Sequence, residues 1–283
     1  MGTDDDVIET PRPGEVFLRL HSVTAVDTHL SAAVFEAKLR SLIRALRAAD
    51  RAVNSRLEFD YGIVKMRSSS PTMIIAQQPM PTRRANFFAS SSVDAFEECV
   101  DAILSGNETR ALRFGTCAKH VRDLASGSPK LFGYGELCTQ RRAVRLDVFL
   151  EERAEAVAEP PNVPVEPAID AGDVWYKGEA YGSFEGMLEY VDVRGSMPEI
   201  KLIMPAGGKS IDCVCRSEHL DIIGASLKRR VRVYGSAFYD GKSGLPRRIN
   251  VTTIELVRDG GDFRRWRGSF EPFEIEPWMN DSD

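Results

Sequence analysis

Four short groupings in this chain bring together residue types that do chemistry elsewhere, and each can be tested on spacing. Pro205-Ala-Gly-Gly-Lys-Ser210 ends in Gly-Lys-Ser, the close of a phosphate-binding loop. Such a loop needs a glycine five residues before the glycine that precedes the lysine, and that position is Ile203. The segment also joins two strand-like runs rather than opening a helix, so it predicts a hairpin turn. Cys213-Val-Cys215 and His219 offer three metal-ligand types. The two cysteines share a strand face with Ile211 and no fourth ligand stands at zinc spacing, which predicts core thiols. Cys117 and His120 stand at i, i+3 on a helical stretch, a lone nucleophile–base pair in a chain with four histidines. Glu97-Glu98 and Glu151-Glu152 are sequence neighbours that face apart on a helix, the wrong arrangement for paired acid–base work. No catalytic, metal or cofactor set emerges, and the chain reads as a non-enzymatic protein.

The cations are the other chemistry-bearing residues. Arg40, Arg44, Arg47 and Arg51 recur at i, i+4, i+7 and i+11, one row on a helix. Such a row is either an ordinary solvated face or a surface that tracks phosphates. In the second half, Lys242, Arg247 and Arg248 cluster at one turn with Tyr239 just before it, and Arg194 precedes another turn. Net charge is −5 but unevenly placed. Residues 15–150 carry 19 basic and 14 acidic residues, and 178–258 carry 12 and 10. Residues 1–14, 151–177 and 259–283 are acidic, at −3, −5 and −4. Two mildly basic lobes are therefore expected, joined and flanked by acidic segments.

The elements that must position these residues follow from periodicity. Glu15–His21 reads as a strand, and a helix follows from about Asp27 to Val53, with Phe35, Leu39, Leu42, Leu46 and Val53 in one apolar stripe. Leu57–Met66 and Thr72–Gln77 read as strands around the turn Arg67-Ser-Ser-Ser-Pro71. Helices are expected over Ser91–Leu104 and Phe114–Leu124, and a last hairpin over Lys130–Leu137 and Arg141–Leu150. Stripped of additions, the order β-α-β-β-α-β is the split pattern of ferredoxin-like domains. An RNA-recognition motif is excluded, because the Thr72–Gln77 strand has none of the stacking aromatics that motif requires.

Glu151–Val174 is rich in Pro, Ala and Glu, with Glu159-Pro-Pro-Asn-Val-Pro-Val-Glu-Pro167 at its centre, and reads as an extended linker. Beyond it come two long strand-like runs, a tight turn and a third strand. A short helix then presents Leu220, Ile223 and Leu227 inward, followed by strands Arg230–Tyr239 and Arg248–Leu256 around Asp240-Gly-Lys-Ser-Gly244. This order, with Val231-x-Val-x-Gly235, Tyr239-Asp-Gly and the run ending Ile254-Glu-Leu, resembles OB-fold proteins, and is similar to bacterial proteins that end in such a barrel. The expected organisation is thus α+β: an acidic start (1–14), a ferredoxin-like unit (15–150), a linker (151–177), a five-stranded OB-like barrel (178–258) and an acidic tail (259–283).

Five cysteines with no framework spacing, no secretory leader and no apolar run of membrane-spanning length predict a cytoplasmic protein with no membrane contact. The resemblance implies ligand contact at the loops that carry Arg194, Lys242, Arg247 and Arg248, with Tyr239 stacking on a base. The expected partner is therefore single-stranded nucleic acid, within a larger assembly. The alternative is a protein adaptor that recruits its partner through the acidic linker or tail.

Overall fold

A computed structural model of the chain describes residues 10–23, 30–67, 71–81, 86, 88–159, 175–205 and 207–257. The N-terminal acids, the proline-rich centre of the expected linker at 160–174 and the acidic tail lie outside the described residues.

The first half contains β1 (Glu15–His21), α1 (Ala32–Asn54), β2 (Phe59–Arg67), β3 (Thr72–Pro79), α2 (Ser92–Ser105), α3 (Glu108–Leu112), α4 (Gly115–Ala125), β4 (Tyr134–Cys138), β5 (Ala143–Leu146) and α5 (Val148–Ala158). Its sheet has the order β2-β3-β1-β4-β5, and every pairing is antiparallel. Period-two alternation divides β1 between the two faces of this sheet. Val16, Leu18 and Leu20 join the core built with α1, α2, α4 and α5, whereas Phe17, Arg19 and His21 face the other way. Leu42 and Leu46 anchor α1 in that core, and Phe35, Leu39 and Val53 pack at its margin.

The second half contains β6 (Lys177–Asp192), β7 (Glu199–Ile203), β8 (Ser210–Val214), α6 (Leu220–Ser226), β9 (Arg230–Asp240) and β10 (Arg248–Leu256). The strands close into a barrel in the order β10-β8-β7-β6-β9, in which β10 runs parallel to β8 and antiparallel to β9. Leu188, Leu202, Ile211, Val233 and Ile249 fill the interior with Cys213 and Cys215. At Gly235 the β10 backbone comes so near that an added Cβ would stand 2.0 Å from the Asn250 carbonyl, so only glycine lets the barrel close there.

The architecture is α+β, with two five-stranded sheets in separate halves of the chain. Several sequence expectations change in detail. The strand expected over Arg141–Leu150 ends at Leu146, because Asp147 caps a helix: its Oδ1 accepts the Leu150 N–H at 3.2 Å. The residues expected to begin an extended linker, 151–158, complete that helix, where Phe149, Leu150, Ala154 and Val157 are buried. Glu and Ala are good helix formers, and an apolar stripe to bury decides between helix and linker. The strand expected from Lys130 begins only at Tyr134. Leu227, expected to face inward, is exposed, because α6 stops at Ser226 before the stripe returns.

Candidate nucleic-acid interface

The cations near the barrel loops were expected to face a ligand, and the structure engages most of them within the chain. Arg248 is 8% exposed. Its Nη1 and Nη2 donate to Oδ1 and Oδ2 of Asp147 at 3.0 and 2.7 Å, and its guanidinium lies 4.3 Å from the Phe149 ring centre. Arg248, expected at a ligand-facing loop, is therefore an interior residue. A strand start that reads as surface becomes interior because α5 and its cap pack over it. Arg247 is exposed, with Nη1 2.5 Å from Glu152 Oε2, again on α5. Arg194 donates through Nε and Nη2 to Asp192 at 2.8 and 2.5 Å, and through Nη1 to the Val23 carbonyl at 2.6 Å. Tyr239 is half-buried and meets Tyr176 edge-on at 5.4 Å, while its carbonyl accepts from Arg153 Nη2 at 2.8 Å. Lys242 alone of the group has an exposed side chain with no ion pair among the described residues.

These contacts belong to a polar seam between the two halves, much of which the sequence reading missed. Glu136 on β4 is fully buried at its centre. Oε1 accepts from the Ser196 N–H at 2.8 Å and lies 2.9 Å from His21 Nε2, and Oε2 accepts from Ser196 Oγ at 2.6 Å. Arg19 Nη1 stands 3.8 Å from Oε2. Burial works to raise the pKa of Glu136, but hydrogen bonds from His21 and Ser196, with the charge of His21, outweigh it and hold the carboxyl at about 2. The group is therefore an anion at neutral pH, and His21 Nε2 must carry the shared proton. The His21 ring stacks on Tyr134 at 4.3 Å, and the Tyr134 hydroxyl donates to the Arg194 carbonyl. Gly195 occupies the left-handed region at φ +63, where a Cβ would collide with Tyr134 and His21. Arg145 lies 3.7 Å over the Tyr134 ring, donates to the Met197 carbonyl at 2.5 Å and reaches Glu199 Oε2 at 3.0 Å. The available signal was a charged residue inside an otherwise buriable strand, Tyr134-Gly-Glu-Leu-Cys138.

The row on α1 is different. Arg40, Arg44, Arg47 and Arg51 are all exposed. Arg40 pairs with Glu36 at 2.5 Å and Arg47 with Asp60 at 2.9 Å. Arg44 and Arg51 have no ion pair among the described residues. Exposed Lys119, from the adjoining α4, adds to the same field. The pKa of His120 is lowered by burial and by Arg44 and Lys119, against the pull of Asp123. Asp50, the other nearby acid in sequence, is buried and accepts the Glu58 and Phe59 N–H groups at 2.8 and 3.0 Å.

Gly207–Lys209 lies in the connection between β7 and β8. Cys213 and Cys215 are buried, and burial pushes the Cys215 thiol up to about 12. Cys117 is buried on α4, and burial raises its thiol too, the reverse of what a nucleophile needs. Among the described residues no helix is long and apolar enough to cross a membrane. No protein-family model matches the chain, and no curated protein matches it.

Proposed function

We propose that this chain is a non-enzymatic binding protein of the cytoplasm that engages nucleic acid, single strands in preference, through the arginine row of α1, as part of a larger assembly. The observation that carries this reading is the exposure of all four arginines, with Arg44 and Arg51 unpaired among the described residues. They lie on one face of a helix rigidly seated in the core, over a span of about 16 Å. Exposed cations on a fixed element contact phosphates and read little sequence.

The finer fold reading belongs with this proposal. The sheet order β2-β3-β1-β4, with β5 added at the edge, supports a ferredoxin-like unit. The strand order around the barrel, with α6 between β8 and β9, supports an OB-like barrel. On that reading the loops of the barrel that other OB-folds turn to ligands, around Arg194 and Arg247, are occupied by the first unit, and the barrel acts as a support.

Changing Arg44 and Arg51 to alanine tests the proposal. Binding to a labelled oligonucleotide is expected to weaken, and its salt dependence to flatten by about two charges. Unchanged affinity and slope at low salt would remove the proposal. A protein-docking role is the second reading. It is favoured by Ile63, Val64 and Met66 on edge strand β2, which are 61%, 55% and 63% exposed. Flow-through from heparin at low salt would favour it.

A further inference from the structure

The polar seam leaves a cleft of about 820 Å³ between the two halves, bounded by the β4–β5 turn on one side and by β8, β9 and β10 on the other. We infer that this cleft is a nucleotide-binding site, which takes a phosphate between Arg141 and Arg216 and a base against its inner wall. The inference rests on the nucleic-acid reading for its choice of ligand but uses none of the α1 residues.

The mouth supplies the charge. Arg141 comes from the first unit and Arg216 from the barrel, and both line the cleft. Their side chains are 69% and 77% exposed, and their acidic neighbours are distant: Asp94 and Glu97 at 3.9 Å from Arg141, Glu218 at 3.8 Å from Arg216. Exposed pairs at such separations are weak, and a doubly charged phosphate competes well for both guanidinium groups. Arg142, also on the wall, is held by Asp101 at 2.6 Å and is not counted. Glu179 and Glu218 line the cleft as well, so Arg141 and Arg216 stand against two glutamates.

The interior supplies the rest. Met197 and Val214, which pack together outside the barrel core, give an apolar wall, the surface that the flat face of a base requires. Beside it stand Gln140, Asn250 and Thr252, whose side chains have no hydrogen-bond partner among the described residues. A carboxamide offers a donor and an acceptor side by side, the pairing that a base edge presents. A cleft of this size lies in the range of small-ligand sites of roughly 300–1,000 Å³. Lips from two units, free amides and an apolar wall together fit a nucleotide better than an inorganic anion, which would use only the mouth. A nucleotide reaches the cleft either free or as the terminal residue of a strand.

The test uses the full chain with AMP, GMP, CMP and UMP, and with a 5′-phosphorylated hexanucleotide, each titrated by calorimetry at low salt. Saturable binding of at least one mononucleotide is expected, weakened about tenfold or more in the Arg141→Ala/Arg216→Ala double variant. Gln140→Ala/Asn250→Ala should level any preference among the four bases while inorganic phosphate binding stays unchanged. If that second variant fails to fold, the exposed lip variant alone decides. Arg44→Ala/Arg51→Ala should weaken the hexanucleotide and leave mononucleotides unaffected. A strand that depends only on Arg44 and Arg51, with no mononucleotide bound, overturns the cleft and keeps the function proposed above. Mononucleotide binding that depends on the lips, with no effect of Arg44 and Arg51 on the strand, does the reverse. Phosphate binding equal to that of every nucleotide also overturns the cleft as a nucleotide site.

Discussion

Glu136 illustrates how one residue can be surface-like in composition and central in space. Its carboxylate accepts from both Ser196 groups and from His21, so its charge is fully committed inside the seam. The sign of its pH dependence follows. The folded pKa, about 2, lies below the ordinary 4.5, so its stabilising contribution is complete above pH 4.5 and is lost as pH falls from there through about 2. The difference in unfolding free energy between the natural chain and Glu136→Gln should therefore be largest at neutral pH and shrink steadily across that window. Urea titrations at a series of pH values measure it, and a difference that is flat from pH 7 to 2 would show that Glu136 is not held as an anion. His21 and Tyr134 were invisible as partners in sequence because 113 and more positions separate them, although β1 and β4 are adjacent strands.

At the scale of elements, α5 decides the fate of the barrel cations. Asp147 performs two tasks: it caps the helix through the Leu150 N–H, and it holds Arg248 by two hydrogen bonds. Breaking a buried pair from one side strands a charge. Arg248→Ala should thus destabilise the protein by about 3–5 kcal/mol, against within about 0.5 kcal/mol for the exposed Lys242→Ala. Chemical denaturation separates the two, and equal small effects would mean that Arg248 is not buried in solution. Lys38 makes a parallel point. It reads as one more basic residue of α1, yet Nζ donates to the Asp123 and Ser126 carbonyls at 2.7 and 2.5 Å, closing the end of α4, and burial lowers its pKa. Helical spacing by itself places Arg40, Arg44, Arg47 and Arg51 in a row, with Glu36 one turn before Arg40; the pairing of Arg47 with Asp60 requires knowing which strand lies beside α1.

On the scale of the molecule, the two halves are in direct contact. Phe238 from the barrel strand β9 belongs to the core of the first unit, where it meets Phe149 at 6.0 Å. With Glu136–Ser196, Arg145–Glu199 and Arg248–Asp147 it joins the halves through both apolar and ionic contacts. A specific protease site inserted between Pro160 and Pro164 should accordingly give two fragments that co-elute on size exclusion at neutral pH. The Glu136→Ala/Arg248→Ala variant should let them part. Separation of the natural halves after cleavage would show that the seam does not hold them.

What the amino-acid sequence determined by itself was local. Period-two and helical patterns marked most elements. They also marked the turn at Gly207–Lys209, the buried cysteines of the barrel and the arginine row, because side-chain direction in a strand or helix depends only on spacing. Tertiary structure alone decided which charges remain available to a partner. Arg194, Arg247 and Arg248 have the composition of a ligand-facing cluster, and no local pattern distinguishes them from Arg44 and Arg51. Arg247 and Arg248 are engaged by acids brought up from a distant part of the chain, and Arg194 by the distant Val23 carbonyl as well as by its neighbour Asp192; a charge engaged in this way contributes to the fold instead of to a surface.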